Sequence, residues 1–462
     1  MCVRYAAFLI NDTMKIRYIK SSTVLVESKG VKILTDPWLI DGEYYGAWYH
    51  YPELYFDRLL LDEVDYIYVS HIHPDHFSKK TFEKLKKSIP VLIHRYESKF
   101  LKTNIERLGF SVIELGHNER NILKNGVSIT ILAADNCNPE LCGRFFGCGI
   151  VEAKYGSTQI DTVSVITDGE FVVVNTNDCP FELTRGTLQV IKNEYPKIDL
   201  LLVGYGGAGP YPQCFKLDDM TKKNASDKKR VQFLDYGVNY INELQPENAL
   251  PFAGTYVLGG KLAKLQDDRG VPEIEDAAAY FREHTQSEIV LLNSYEYIDL
   301  KTGNCSKPYK ETDLEAKRAY IENILSKKKL DYCQEGENEE TYFKAHSTEI
   351  LALLESAYNR FERKRKEINF ISDTSTLLYI NNNFWCKISN NGLGFEFVDE
   401  LEKSKLTRFV SYKLDIRLLH QILLGPRYAH WNNAEIGSHI EFERVPNIFE
   451  RGLHHSMNFF HS

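Results

Sequence analysis

Alternating and β-branched runs open the chain. Residues 15–20 (KIRYIK), 23–28 (TVLVES) and 31–36 (VKILTD) read as consecutive strands, with Ser28-Lys29-Gly30 as a hairpin turn. A further apolar run, 66–69, leads into the polar stretch VSHIHPDHFS. Beyond it, helical periodicity at 79–88 and 97–108 alternates with strand-like runs at 91–93 and 111–115, an α/β layering. Strands are predicted at 127–133, 162–167 and 171–176, the last two joined by the turn dipeptide Asp168-Gly169. A helix over 182–194 precedes an apolar strand at 199–203 and the glycine run 204–210. Residues 219–248 are polar and helical, and 251–256 returns as an apolar strand and turn.

The pattern then changes. Residues 302–315 (TGNCSKPYKETD and flanks) read as a linker, 314–328 as a basic helix and 335–340 as an acidic spacer. Over 341–367, Ile350, Leu353, Leu354, Ala357, Tyr358 and Phe361 recur at three and four, the stripe of an amphipathic helix. The RFERKRKE run that ends it reads as a solvated helix end or a phosphate patch. From Thr376 short strands follow one another, with Asn390-Asn391-Gly392 as a turn, and a helix over 416–424. The expected organisation is therefore an N-terminal extension (1–13), an α/β domain (14–300), a linker and helical connector (301–370) and a small α+β domain (371–462).

Composition narrows the function classes. A chain of 462 residues is long for one core, which favours two domains. The net charge of −8 attracts neither nucleic acid nor an anionic membrane. No apolar run reaches the length of a membrane span, and the first residues lack the pattern of a signal peptide. Nine irregularly spaced cysteines suit reduced thiols and a cytoplasmic location. Twenty-eight tyrosines suggest polar-aromatic surfaces on which a sugar or nucleotide would stack.

The chemistry concentrates in residues 69–78. His71 and His73 are two apart, so an extended backbone points both the same way. Pro74 bends the chain, and Asp75 and His76 then reach a neighbouring point. Imidazoles with a carboxylate are ligands for Zn²⁺, Fe²⁺ or Mn²⁺.

This stretch resembles the H-x-H-x-D-H signature of the metallo-β-lactamase superfamily, over residues up to about 260. The resemblance implies an αββα sandwich, one or two divalent ions, Zn or Fe, and hydrolysis by a metal-activated water. His71, His73 and His76 would bind metal, and Asp75 would be a ligand or the general base. Asp36, ending the third strand, would prop the histidine loop. Asp178, ending strand 171–176, would bridge two ions, or else cap the following helix. The family's third histidine should follow strand 127–133. Asp135 stands there instead and is the expected replacement ligand, ahead of His117 and Cys137; its plain reading is a turn cap. The last family histidine is missing from both 204–210 and 251–254. These departures leave a carboxylate-rich set, closer to what non-haem iron or manganese uses.

Three segments, Asn175-Thr176-Asn177-Asp178-Cys179, Tyr205–Pro212 and Pro251–Gly254, are similar to the metallo-β-lactamase-type part of CMP-N-acetylneuraminate hydroxylase and its bacterial relatives. The stretch Trp431–Gly437 with Arg444 and Pro446 is similar in style. The paired Cys-His motifs of a Rieske cluster are not found in this sequence. Loop 40–56, dense in rings, is either a substrate wall, with Tyr45 and Trp48 as contacts, or packing. Gly206 and Gly207 are candidate contacts for a phosphate, unless the loop only needs positive φ. The leading expectation is a metal-dependent hydrolase of a small polar substrate. The alternatives are an iron oxygenase served by a separate reductase, and a binding protein with a decayed site.

Overall fold

The structure is a computed structural model and describes residues 13–96, 98–133, 161–381 and 384–462. Its first sheet has eight strands, in the order Asn304–Cys305, Tyr297–Asp299, Lys15–Lys20, Thr23–Ser28, Val31–Thr35, Tyr66–Tyr68, Val91–His94 and Val112–Leu115. The second has seven: Glu288–Ile289, Asn248–Phe252, Leu200–Gly204, Val172–Asn175, Thr162–Thr167, Ser128–Ala133 and Arg120–Ile122.

Period-two alternation decides how these sheets pack. Val24 and Val26 face one way and meet Ile129, Ile131, Val173 and Leu202 of the second sheet. Leu25, between them, faces the other way, with Leu34 and Ile67, onto Phe82, Leu101 and Ile105 of the helices Lys79–Lys84 and Phe100–Arg107. The second sheet repeats the device. Leu200 and Leu202 point into the sandwich, whereas Leu201 and Val203 meet the helices Phe181–Glu194, Asp219–Leu244 and Ile274–His284. Both sheets are thus apolar on both faces and covered by helices, which is an αββα sandwich. The predicted turn at Ser28 has both Lys29 (φ 48) and Gly30 (φ 71) in the left-handed region, as a two-residue hairpin requires. Residues 304–305, read as linker, extend the edge of the first sheet beyond the expected boundary at 300.

The long helix runs Glu339–Glu367. Asn338 accepts from Thr341 N in a capping box, and the stripe Ile350, Leu354, Ala357, Phe361 is buried. A third sheet, ordered Phe395–Val398, Phe384–Ile388, Ser375–Asn381, Phe409–Lys413 and Glu441–Val445, packs on this helix. One core cluster joins these C-terminal elements to the sandwich. It contains Trp38, Trp48 and Leu258 from the sandwich together with Leu354, Tyr412, Leu419 and Trp431. Main-chain bonds add to the link: Lys216 N donates to Phe442 O, and Phe442 N to Cys214 O, both at 2.8 Å. No described helix is long and apolar enough to cross a membrane.

Candidate metal centre

The histidine loop leaves the strand Tyr66–Tyr68, which lies between two parallel neighbours, Val31–Thr35 and Val91–His94. It therefore opens at the carboxyl end of a parallel sheet, where α/β folds form crevices. Register puts Asp36 beside it, because Thr35 pairs with Tyr68 and Asp36 N donates to Tyr68 O at 2.8 Å. Asp36 Oδ1 accepts from Ser70 N at 2.7 Å, and its Oδ2 faces His76 Nδ1 at 3.1 Å. The turn itself is closed by His76 N and Phe77 N, both donating to His73 O.

Three imidazoles converge. His71 Nε2 lies 2.8 Å from His73 Nδ1, and His71 and His76 are completely buried. Each ring holds an outer partner on its other nitrogen. His71 Nδ1 is 2.9 Å from Ser70 Oγ, His73 Nε2 is 3.1 Å from Asn432 Oδ1, and His76 Nδ1 faces Asp36. A proton on His73 Nε2 donated to the Asn432 oxygen turns the lone pair of Nδ1 towards His71. His76 Nε2 is buried without a hydrogen-bond partner. It points between Asp178 Oδ1 at 3.3 Å and Asp75 Oδ2 at 3.6 Å.

Carboxylates complete two adjoining groups of donors, His71–His73–Asp161 and His71–His76–Asp178, in each of which the donor atoms lie within 4.8 Å of one another. Two imidazoles and a carboxylate around each point, with a buried orphan nitrogen in the second, fit a divalent cation. Asp75 Oδ1 accepts from Tyr44 OH at 2.5 Å, which aims its other oxygen at His76.

The electrostatics agree with this donor set. Burial pushes His71 well towards its neutral, ligating form and moves His73 the same way against Asp75 and Asp178. Burial also opposes charge on His76, but Asp178, Asp36 and Asp75 outweigh it and hold that ring protonated when nothing else balances the acids. Asp178 is likewise disfavoured by burial, yet His76 and His73 keep its carboxyl below the usual range.

Of the residues singled out from sequence, His71, His73, Asp75, His76 and Asp178 come together, and Asp36 stands behind them. Asp135 and Cys137 lie outside the described residues. His117 is elsewhere, its Nδ1 accepting from Ala133 N at 3.1 Å. Asp161, which the sequence reading passed over, occupies the place beside His71. It immediately precedes the strand Thr162–Thr167, whose first residue pairs with Ala133, so it sits at the sheet end where the replacement was sought. An acid before a strand is an ordinary sequence feature, and only the antiparallel pairing brings this one to the histidines. Asn432 and Tyr44 likewise reach the site only through the fold, whereas Ser70 adjoins His71 in the sequence and its role shows only in the hydrogen bond to that ring.

The aromatic loop is packed inward. Trp48 is 2% exposed and stacks on Tyr256 with ring centroids 3.5 Å apart, and Tyr45 OH accepts from His430 N at 2.8 Å. Neither is among the residues lining the two cavities beside His73, and both take the packing alternative for this loop. Gly206 and Gly207 do line a cavity of about 690 Å³ with His73, Asp161 and Asp178. Both owe their identity to close packing, not to positive φ: a Cβ on Gly207 would stand 1.9 Å from Phe233 Cζ.

A model of the Beta-lactamase superfamily domain matches residues 15–136. This part of the chain is similar to that domain. Among curated proteins, one of Mycolicibacterium smegmatis, carrying the name of a Rieske 2Fe-2S iron–sulfur protein, is 27% identical to this chain over 267 residues. That match covers 56% of this chain and 47% of the relative. Cytidine monophosphate-N-acetylneuraminic acid hydroxylase of Danio rerio is 24% identical over 263 residues, 55% of this chain and 40% of the relative. The chain thus spans less than half the length of these relatives. Among solved structures, isothiocyanate hydrolase from Delia radicum gut bacteria aligns with TM-score 0.43 at 16% identity, covering 62% of this chain and 98% of that one. CmlA, a diiron β-hydroxylase from Streptomyces venezuelae, aligns with TM-score 0.40 at 16% identity, covering 60% and 52%.

One further acid lines a cavity that reaches His73. Glu435 lies one turn after Asn432 on the helix Trp431–Ile436, and burial raises its carboxyl to about 8. The unfolded chain ionises this group near 4.5, so the fold loses stability from Glu435 as pH rises from 4.5 to 8 and loses no more above that. Glu435→Gln is therefore expected to gain stability over the parent across this window, reaching roughly 3–5 kcal/mol. Urea midpoints at pH 5 and pH 8.5 check it, and an equal offset at both would refute it.

Proposed function

We propose that the protein is a metal-dependent hydrolase acting on a small polar substrate. The observation that carries this reading is the pair of adjoining donor groups sharing His71, one closed by Asp161 and the other by Asp178. His71, His73 and Asp161 would hold one cation; His76 and Asp178, sharing His71, would hold another or the same ion displaced. A cation bound there supplies Lewis acidity and a water acidified towards neutral pH.

The chain's own groups do the rest. Asn432 orients His73, Ser70 steadies His71, and Asp36 fixes the ring of His76. Asp75, held by the Tyr44 hydroxyl through one oxygen and with the other 3.6 Å from His76 Nε2, would take a proton from water on that second oxygen and return it to the leaving group. The cavity beside Gly206 and Gly207 gives a small molecule room to approach His73, Asp161 and Asp178 together.

A second reading has its own support. The group His71–His73–Asp161 is two histidines and one carboxylate, the set that non-haem iron oxygenases use, and a curated relative is a hydroxylase. Under this reading the chain would take electrons from a separate reductase.

Metal analysis of protein purified without oxygen, combined with a screen of ester, amide and phosphoester substrates, separates the two. Turnover by zinc-loaded protein under argon supports hydrolysis. Iron as the only stoichiometric metal, with product formed only when O₂ and a reductant are supplied, overturns it in favour of oxygenation.

A further inference from the structure

A cavity of about 380 Å³ lies between loop 208–211 and the third sheet, and reaches His73 at one end. It adjoins the one lined by Gly206 and Gly207, sharing His73, Ala208 and Tyr211 with it, and the C-terminal part of the chain builds most of its wall. Asn432 and Glu435 project into it from one face of the helix Trp431–Ile436. Opposite them stands Arg444, on the strand Glu441–Val445.

Arg444 is the unusual group. Its guanidinium sits 4.5 Å over the ring of Phe215 and 5.8 Å from that of Phe449. Its Nε is buried without a hydrogen-bond partner, and among the described residues no carboxylate comes within ion-pair range of it. The acids nearby are otherwise engaged. Glu443, its neighbour on the strand, pairs with Lys216 and Lys403. Glu450 pairs with Arg408 at 2.9 Å. Glu435 stands 3.5 Å from His454, and burial holds it in its neutral form at neutral pH. A half-buried arginine held over aromatic rings and left without a counter-charge is costly, unless an anion with paired oxygens is its partner. Aromatic side chains on either side of it suit an apolar or ring-bearing portion of the same molecule.

We infer that this cavity binds the anionic end of the substrate, a carboxylate or a phosphate, on the Arg444 guanidinium, with the adjoining part of the molecule against Phe215 and Phe449 and its far end directed to His73. The neutral Glu435 acts beside it as a hydrogen-bond donor to the same ligand. The assignment of the far end rests on the metal-centre reading. The anion site itself does not.

The test uses the full chain treated with chelator, so that no metal contributes. Phenyl phosphate and benzoate are titrated by calorimetry, with benzyl alcohol as the uncharged probe. At least one anion should bind, and benzyl alcohol should bind at least about tenfold more weakly, as expected for a charge-assisted hydrogen bond. Which of the two anions binds better distinguishes a phosphate from a carboxylate ligand. Arg444→Gln should weaken the better anion by about tenfold or more, whereas Arg444→Lys should retain part of the affinity and Arg107→Gln, at a residue that lines neither cavity, all of it. If Arg444→Gln does not fold, Phe449→Glu replaces it: Phe449 is 53% exposed, and an acid there should repel either probe. The inference is overturned if neither anion binds the parent, if benzyl alcohol binds as tightly, or if affinity survives both Arg444→Gln and Phe449→Glu. Failure of the metal-centre reading would show instead as absence of metal uptake, with anion binding intact.

Discussion

His71→Ala is expected to leave the purified protein without stoichiometric metal and without turnover. His71 belongs to both donor groups, so its loss removes one ligand from each. Disturbing only an outer partner of a ligand commonly lowers metal affinity about 10–100-fold, and removal of a shared ligand should exceed that. The variant should still fold, because the loop is anchored by Asp36, Ser70 and the main-chain bonds to His73 O, none of which needs the His71 ring. Titration with Zn²⁺ or Fe²⁺, read by elemental analysis after desalting, gives the answer. A distinct group, His346–Glu349–His420, lies between the long helix and the helix Ile416–Leu423. If metal content survives His71→Ala and disappears in His420→Ala, the centre has been put in the wrong place.

Trp48→Ala is expected to cost about 3–5 kcal/mol of stability, the range for deleting a large buried aromatic. Trp48 is buried against Tyr256, with Tyr44 at 4.4 Å and Trp38 at 6.0 Å between centroids. The same cluster holds Leu354 of the long helix and Tyr412 and Trp431 of the C-terminal part. The loss should therefore be felt by the sandwich and the C-terminal elements together. Urea unfolding followed by far-ultraviolet circular dichroism and by tryptophan fluorescence should give coincident curves for parent and variant. Two separated transitions, or a loss under about 1 kcal/mol, would mean that the loop packs less tightly than its geometry indicates.

These expectations trace which parts of the molecule were legible in advance. The strands 15–20, 23–28 and 31–36 were, because alternation is a local property and two apolar faces leave it one solution: Val24 and Val26 inward, Leu25 outward. The long helix was, because a stripe at three and four must be buried somewhere. Ring-rich loop 40–56 was not. A tryptophan's sequence neighbours do not reveal whether a protein core or a ligand will cover it, and here Tyr256 covers Trp48 from more than 200 residues away.

The chain's order of residues determined by itself that imidazoles and an acid share one short turn after a strand, since their spacing and the extended backbone leave little freedom. It also determined that a layered α/β body carries that turn. Only the tertiary structure decided what stands around it. Asp161 reaches His71 through a strand pairing 90 residues on, and Asn432 reaches His73 across 359. Such contacts depend on register and on how separate sheets dock, and neither leaves a periodic trace along the chain. Arg444 is the clearest case: the sequence marked it only as part of a stretch similar in style to a hydroxylase, and its lack of an ion-pairing carboxylate among the described residues exists only once the sheets have closed around it.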